Sequence, residues 1–235
     1  MTETELERIR SAYRARDADS GTPYRWDNPG YVAYLQSVER VVLRAFGQSS
    51  VSLAGARVLD VGCGSGYFLN RLHEYGAGEC HGIDLMENRI AEGGERYPTL
   101  KLRVGSATEL PHADGAFDVV TQFTCLSSIL DDDVRLAVAR EMQRVATGGW
   151  VLSFDMRGLW LGRLAHRRPS ADDSTETVAL DRPELIRLFG EPAVLRRETL
   201  TFGLAELTGR HQLIGMALGT LPFLRSHLLG LWQVS

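Results

Sequence analysis

The sequence predicts an α/β fold in which a mostly parallel sheet is covered by helices on both faces. Two observations support this prediction. Between residues 57 and 156, short apolar or β-branched runs alternate with segments of helical periodicity, as in βαβ units. The first run, "RVLDV" at 57–61, leads into a turn with glycine at every second position, Gly62, Gly64 and Gly66, and a helix follows. This order is typical of α/β proteins that bind a ligand beyond the carboxyl ends of their strands.

The remaining elements are predicted from periodicity and turn residues. Five strands are expected at 57–61, 80–85, 101–105, 117–123 and 150–156, with helices at about 66–75, 87–97 and 131–146. Two amphipathic helices precede them, one within 3–16 and one at about 31–46. After a polar loop, a helix begins near Asp181, and two late strands are expected at 194–202 and 227–234.

Composition excludes several classes of protein. The 235 residues, 44% of them hydrophobic, suffice for one large domain. The net charge of −4, from 26 basic and 30 acidic residues, gives no support for nucleic acid as a partner. The three cysteines form no CxxC pair, so we expect no metal site. No secretory signal is recognised and the apolar tract 213–224 is too short to span a membrane, so we expect a cytoplasmic protein.

The glycine turn differs from a dinucleotide site. The pattern G-x-G-x-x-G requires glycine at the sixth position, where this chain has Tyr67, and its third glycine is Gly66. Asp60 lies two residues before the first glycine. A carboxylate there offers nothing to a phosphate, but it suits a ligand with a cationic amine or sulfonium.

The second predicted strand adds a carboxylate at its tip. Asp84 follows Gly62 by 22 residues, the position from which a carboxylate can accept hydrogen bonds from a ribose diol. Leu85 comes next and can cover one face of a base. The two acidic residues and the turn together predict a site for a nucleoside with free ribose hydroxyls and a cationic, phosphate-free tail.

With these features the chain resembles the class I S-adenosylmethionine-dependent methyltransferases of small-molecule type. The matching segments are "VLDVGCGSG", "GIDL", "VGSATELPHADGAFDVV" and "VATGGWVL", in the order and at the intervals usual for that family, over about residues 57–155. The resemblance implies S-adenosyl-L-methionine as the cofactor. A Rossmann-like domain with a vestigial site is the alternative.

The resemblance also implies roles for individual residues. The amino-acid end of the cofactor would be held by Asp60 and the backbone of Gly62 and Gly64, while Gly66 would let the helix pack closely. Asp84 would bind the ribose, and Leu85 and Ala107 would flank the adenine.

Two further positions in the matched region carry open alternatives. Ser106 stands where the family usually has an aspartate that contacts the adenine amino group, so it either makes a weaker contact or is only a turn residue. Gln122 ends the fourth strand, where the family commonly offers backbone groups to the methionine portion of the cofactor.

The acceptor side is less defined. By similarity to small-molecule methyltransferases, the N-terminal helices would close as a lid, with Arg25 pairing with the cofactor carboxylate and Trp26 contacting cofactor or acceptor. The alternative is a capped turn with a buried tryptophan. No catalytic residue is assigned, and the candidates are Asp155, His112 and His211. Asp155 and Arg157 are the candidates for polar contact with an acceptor.

We therefore expect a Rossmann-like, seven-stranded, mostly parallel sheet with helices on both faces and an N-terminal helical lid, all in one domain, 1–235. Residues 1–50 would form the lid, 51–157 the cofactor-binding core and 158–235 the acceptor-side elements. The expected function is methyl transfer to a small molecule such as a sugar or a secondary metabolite of natural product biosynthesis. The alternatives are a protein or lipid acceptor, or a non-methylating binder or cyclase. The sequence leaves the methylated atom and the oligomeric state open.

Overall fold

The computed structural model describes residues 3–18, 27–157, 177–200, 218, 221 and 224–235. Its strands are β1 Arg57–Val61, β2 Glu79–Asp84, β3 Lys101–Val104, β4 Val119–Phe123, β5 Trp150–Met156, β6 Val194–Leu200 and β7 Arg225–Gln233. Its helices are α1 Glu3–Ala18, α2 Pro29–Gly47, α3 Tyr67–Glu74, α4 Glu87–Arg96, α5 Asp132–Val145 and α6 Arg182–Phe189, with a 3₁₀ turn at Leu126–Ser128.

The seven strands form one sheet in the order β3-β2-β1-β4-β5-β7-β6. Strands β1 to β5 are parallel, and β7 runs antiparallel to both of its neighbours, β5 and β6. The predicted fold class is thereby confirmed. The order of the strands reverses between β1 and β4, so a crevice opens where the glycine turn leaves β1.

Helix ends are set by short polar side chains. The Asn28 side chain accepts a hydrogen bond from the Gly30 N–H at 2.9 Å and begins α2, with Pro29 in the first turn. Asp181 does the same for α6, accepting from the Glu184 N–H at 3.1 Å. Both caps fix where a helix starts relative to the carboxyl edge of the sheet.

Two apolar cores lie on opposite faces of the sheet. One joins α2 and α3 to the sheet and includes Val42, Leu69 and Phe154, each less than 4% exposed. The other joins α5 and α6 to the opposite face and includes Met142 and Trp232. Because both faces are covered, the central strands are apolar runs with little alternation.

The structure refines several predicted boundaries. Strand β4 begins at Val119 rather than residue 117, and the 3₁₀ turn at Leu126–Ser128 was not foreseen. Most of the apolar tract 213–224 lies outside the described residues. Among the helices described, none combines the length and apolarity needed to cross a membrane.

Candidate active site

The glycine turn after β1 has a backbone that only glycine adopts easily. Gly62, Gly64 and Gly66 have φ of +71°, +55° and +83°. A Cβ at Gly62 would lie 2.6 Å from the Cys125 sulfur, so the loop after β4 packs directly on the turn. A Cβ at Gly64 would meet nothing within 4 Å, which leaves open space beside the backbone there. The turn is therefore closed on one side and free to approach a ligand on the other.

Asp84 is bound to the turn that it faces. One of its carboxylate oxygens accepts a hydrogen bond from the Gly64 N–H and the other from the Met86 N–H, each at 2.8 Å. The same carboxylate thus ties the glycine turn to the start of α4. Asp84 also lines a cavity, so each oxygen can still accept a bond from a ligand through its second lone pair.

Asp60 is a buried carboxyl at the end of β1. It is 2% exposed, and Thr121 Oγ1 donates a hydrogen bond to its Oδ1 at 2.8 Å. Burial raises the pKa of Asp60 to about 7, although the Thr121 hydroxyl opposes the shift. A cation placed against this carboxyl would restore its charged form.

An inner cavity lies between the tips of β1, β2 and β4 and helix α1. Its apolar walls are Ile9, Ile83, Leu85, Met86, Ala107, Ile129 and Val138, and its polar groups include Tyr13, Asp84, Arg89 and Ser128. A mostly apolar cavity with a few polar groups is typical of a small-molecule site. Leu85 and Ala107, which were predicted to flank the adenine, both line this cavity.

Ser106 differs from its neighbours in the same loop. Its hydroxyl is hydrogen bonded to the Thr108 hydroxyl at 2.8 Å and accepts from the Thr108 N–H at 3.3 Å. Gly105 and Ala107 line the inner cavity and Ser106 does not. Its position matches that of a turn residue, the second of the two alternatives.

An outer cavity adjoins the inner one. It is lined by Asp60, Gly62, Gly64 and Ser65 of β1 and the turn, by Tyr67 and Phe68 of α3, by Tyr31 and Leu35 of α2, and by Phe123, with Asp17, Asp27, Asn88 and Glu92 among its polar groups. The two cavities share Arg16, Gly62, Arg89 and Phe123. They therefore meet at the first glycine of the turn.

A buried polar network shapes the loop between the two cavities. The Gln122 side chain donates to Asp155 Oδ2 at 2.6 Å and accepts from the Cys125 N–H at 2.8 Å, while the Ser127 N–H donates to Asp155 Oδ1 at 3.0 Å. Asp155 is 0% exposed, and burial raises its pKa to about 6.

The position of Asp155 does not support the contact with an acceptor that the sequence suggested. Asp155 lines neither cavity, and the Gln122 side chain is likewise fully buried. Their hydrogen bonds hold the loop that presents Phe123 and Thr124 to the site.

Thr124 has a backbone that β-branched residues rarely adopt. Its φ is +57°, and it lies in the wall of the inner cavity. The Thr124 N–H donates to the Phe154 carbonyl at 2.7 Å, and the Ser128 hydroxyl donates to the Thr124 carbonyl at 3.2 Å. These bonds hold a strained residue beside the ligand space, as is common at functional sites.

Of the other candidate residues, the structure describes only His112, which does not lie at the site. His112 packs edge-on against His81 and Phe117, with ring centroids 5.4 and 4.8 Å away, and lines neither cavity. Arg25, Trp26 and His211 lie outside the described residues. Among the residues described, no cluster of His, Cys, Asp or Glu has the arrangement of a metal site.

Helix α1 closes the inner cavity. The Arg8 guanidinium donates to the Ser128 carbonyl at 2.7 Å, and Glu5 accepts from the Leu130 N–H at 2.8 Å. Tyr13 shares a 2.8 Å hydrogen bond with the Ser128 hydroxyl, and the guanidinium groups of Arg16 and Arg89 each lie over its ring. The expected lid is thus docked on the loop after β4.

Several lining residues were missed by the sequence analysis. Tyr67, Phe68 and Phe123 form an aromatic wall of the outer cavity, with Phe68 and Phe123 stacked at 4.2 Å. The signal for two of them was their position directly after Gly66, at the start of the helix that the turn introduces. Arg89 of α4 has no such signal, because its place depends on how α4 packs.

Comparison with known proteins agrees with this geometry. Residues 58–149 match the family model described as a methyltransferase domain. The chain is 38% identical over 104 residues to the demethylmenaquinone methyltransferase of Bacillus velezensis, covering 40% of this chain and 42% of that protein. It is 30% identical over 168 residues to a probable S-adenosylmethionine-dependent methyltransferase of Mycolicibacterium smegmatis, covering 67% and 61%.

A solved structure extends the likeness beyond the matched segment. The S-adenosylmethionine-dependent methyltransferase of Mesorhizobium loti superposes with a TM-score of 0.63 at 16% identity, over 82% of this chain and 96% of that one. The chain spans about two fifths to three fifths of the length of the two curated relatives. Family model, relatives and fold agree, and the chain belongs to the class I S-adenosylmethionine-dependent methyltransferases, whose cofactor is S-adenosyl-L-methionine.

Proposed function

We propose that this protein transfers the methyl group of S-adenosylmethionine to a small-molecule acceptor in the outer cavity. The observation that carries the proposal is the junction of the two cavities at Gly62. A nucleoside in the inner cavity and an acceptor in the outer one would meet at that turn.

The residues around the turn suit this cofactor. Asp84 at the polar end of the inner cavity would accept bonds from the ribose hydroxyls, and Leu85 and Ala107 would flank the adenine. Asp60 and the backbone of Gly62 and Gly64 would hold the amino-acid end. The open space beside Gly64, where a Cβ would meet nothing within 4 Å, gives that end room to approach the backbone.

The protein's part in the reaction would be to position the acceptor against the cofactor and to exclude water. When bound, S-adenosylmethionine supplies an electrophilic methyl on a cationic sulfur, which is displaced in line by the acceptor atom. Helix α1 would shield the inner cavity through Ile9 and Tyr13. The aromatic wall at Phe123 would hold the acceptor against the methyl. We assign no catalytic base.

The identity of the acceptor is a further part of the proposal. A sugar or a secondary metabolite of natural product biosynthesis fits the size class expected from the sequence. A hydroxylated aromatic ring is a second candidate, favoured by the aromatic lining and by the relative named a demethylmenaquinone methyltransferase. We propose a cytoplasmic location and one domain, 1–235, with lid, core and acceptor-side elements as predicted.

Calorimetry tests the cofactor assignment directly. We expect S-adenosylmethionine and S-adenosylhomocysteine to bind and NAD to bind far more weakly. A panel of sugars, phenols and quinols, screened for release of S-adenosylhomocysteine, then tests the acceptor class. Binding of NAD without binding of S-adenosylhomocysteine would refute the cofactor assignment, and turnover of protein or lipid acceptors alone would refute the small-molecule assignment.

A further inference from the structure

A carboxylate between two helices fixes one wall of the outer cavity. Glu39 of α2 is 9% exposed and accepts hydrogen bonds from three side chains of α3 and its C-cap: the Tyr67 hydroxyl, Arg71 Nε at 3.0 Å and the Tyr75 hydroxyl at 2.7 Å. Arg71 also donates to the Tyr75 hydroxyl at 2.8 Å. Arg71 also pairs with Glu74 of α3, and the group as a whole joins α2 to both ends of α3.

Only one of these three partners lines the outer cavity, and the other two line a smaller cavity beside Glu39. Tyr67 lines the outer cavity, whereas Arg71 and Tyr75 do not. Tyr67 also directly follows Gly66, so its backbone continues the glycine turn. Its ring packs edge-on against Phe68 at 5.2 Å, and Phe68 stacks on Phe123, which borders both cavities. The Tyr67 ring is therefore attached to the cofactor turn at its backbone and to α2 at its hydroxyl.

The hydrogen bond to Glu39 also decides what Tyr67 can do chemically. Burial and the neighbouring carboxylate raise the pKa of Tyr67 well above its ordinary value. The phenol stays protonated and donates to Glu39 rather than taking a proton from a substrate. What remains available to an acceptor is the rigidly held face and edge of the aromatic ring.

We infer that Tyr67 is a specificity-determining residue of the acceptor site, that Glu39 is its positioning residue, and that the wall they set receives a flat aromatic ring. This inference rests on the proposed function, since it assigns the outer cavity to the acceptor. Tyr31 and Leu35, which lie on the same helix as Glu39, also line that cavity. Glu39 therefore ties the helix that carries these two lining residues to the helix that carries Tyr67.

Binding of 2-naphthol, a flat hydroxyaryl probe, tests the inference in the presence of saturating S-adenosylhomocysteine. Calorimetry gives the dissociation constants of both compounds for the full chain and for each variant. Tyr67→Leu should weaken 2-naphthol about tenfold, through loss of an aromatic contact, and leave the affinity for S-adenosylhomocysteine within about twofold.

Tyr75→Phe is the matched control. It removes a phenol that binds the same carboxylate but lines no part of the outer cavity, so both affinities should stay unchanged. Tyr67→Phe keeps the ring and frees it from Glu39, so it should weaken 2-naphthol less than Tyr67→Leu does. Glu39→Gln, which keeps one accepting oxygen, should preserve more of the affinity than Glu39→Ala.

Each outcome has one meaning. Equal effects of Tyr67→Leu and Tyr75→Phe on 2-naphthol would show that the group only supports the fold, and would overturn the inference. Binding of S-adenosylhomocysteine without any binding of 2-naphthol would overturn the aromatic acceptor and leave the cofactor assignment standing. Failure of the parent protein to bind S-adenosylhomocysteine would refute the proposed function itself.

Discussion

The substitution Asp60→Asn should make the cofactor-free protein more stable while weakening its cofactor site. Burial raises the pKa of this carboxyl from 3.8 to about 7. A shift of about 3 units costs about 4 kcal/mol once the group is ionised in both states, at 1.36 kcal/mol per unit. Relaxation around a buried charge reduces this, so we expect a gain of about 1–3 kcal/mol at high pH. Asparagine keeps an oxygen for the Thr121 hydroxyl.

The dependence on pH identifies the cause. Because the pKa of Asp60 is higher in the folded than in the unfolded protein, its cost is absent below pH 3.8, grows as the pH rises and is complete above about pH 7. Urea unfolding of the wild type and Asp60→Asn between pH 4.5 and 8.5 measures the difference in the free energy of unfolding. The gain should increase up to about pH 7 and be constant above it.

A second carboxyl serves as the control. Asp118 directly precedes β4 and its side chain is half-exposed. Its hydrogen bond with Arg57 lowers its pKa. Asp118→Asn should therefore reduce stability above the ordinary pKa of aspartate, the opposite sign. An Asp60→Asn protein that is no more stable than the wild type at pH 8.5, or a gain that is constant with pH, would refute the argument.

Three further changes test the site. Gly62→Ala should lower the free energy of unfolding by about 2–3 kcal/mol, and Gly64→Ala should lower it by about 1 kcal/mol. Both glycines have positive φ, but only at Gly62 would the new Cβ clash with the Cys125 sulfur. Equal losses in urea unfolding would contradict this clash. Asp84→Asn should weaken S-adenosylhomocysteine by about 1.5–3 kcal/mol in calorimetry, the range for hydrogen bonds to a charged group, and an unchanged affinity would remove the ribose assignment. Deletion of residues 1–28 should abolish turnover but leave a folded sheet, as measured by circular dichroism. In the full chain, hydrogen exchange in residues 3–18 should slow when S-adenosylhomocysteine binds. Full activity of the truncated protein would show that the segment is only a structural cap.

Local pattern was enough to predict most of the fold. The glycine turn, the apolar run before it and the alternation of strands and helices are written in consecutive residues, so β1 to β5 and their helices were found within a few positions. The turn at Leu126–Ser128 was not, because it depends on the buried carboxylate of Asp155, which comes from another strand. No window of sequence around 126–128 contains that partner.

The candidate site was likewise predicted where consecutive residues carry the signal and missed where distant residues come together. Asp84 was predicted as a ribose-binding residue from its place at a strand tip, but its bonds from the Gly64 and Met86 N–H groups were not predicted. The aromatic wall brings Phe123 together with Phe68, which is 55 positions earlier. Such contacts follow from strand order and helix packing, and one sequence without that knowledge does not reveal them.

The place of β7 in the sheet has a consequence for biosynthesis. Strand β6 pairs with β7 and with no other strand described, and β7 also covers the edge of β5. As the chain is synthesised, the backbone groups of β5 and β6 that pair with β7 have no partner until residues 225–233 leave the ribosome. The nascent protein would then be most prone to aggregate between the synthesis of β6 and that of β7, and a chaperone that shields strand edges would help it most at that stage.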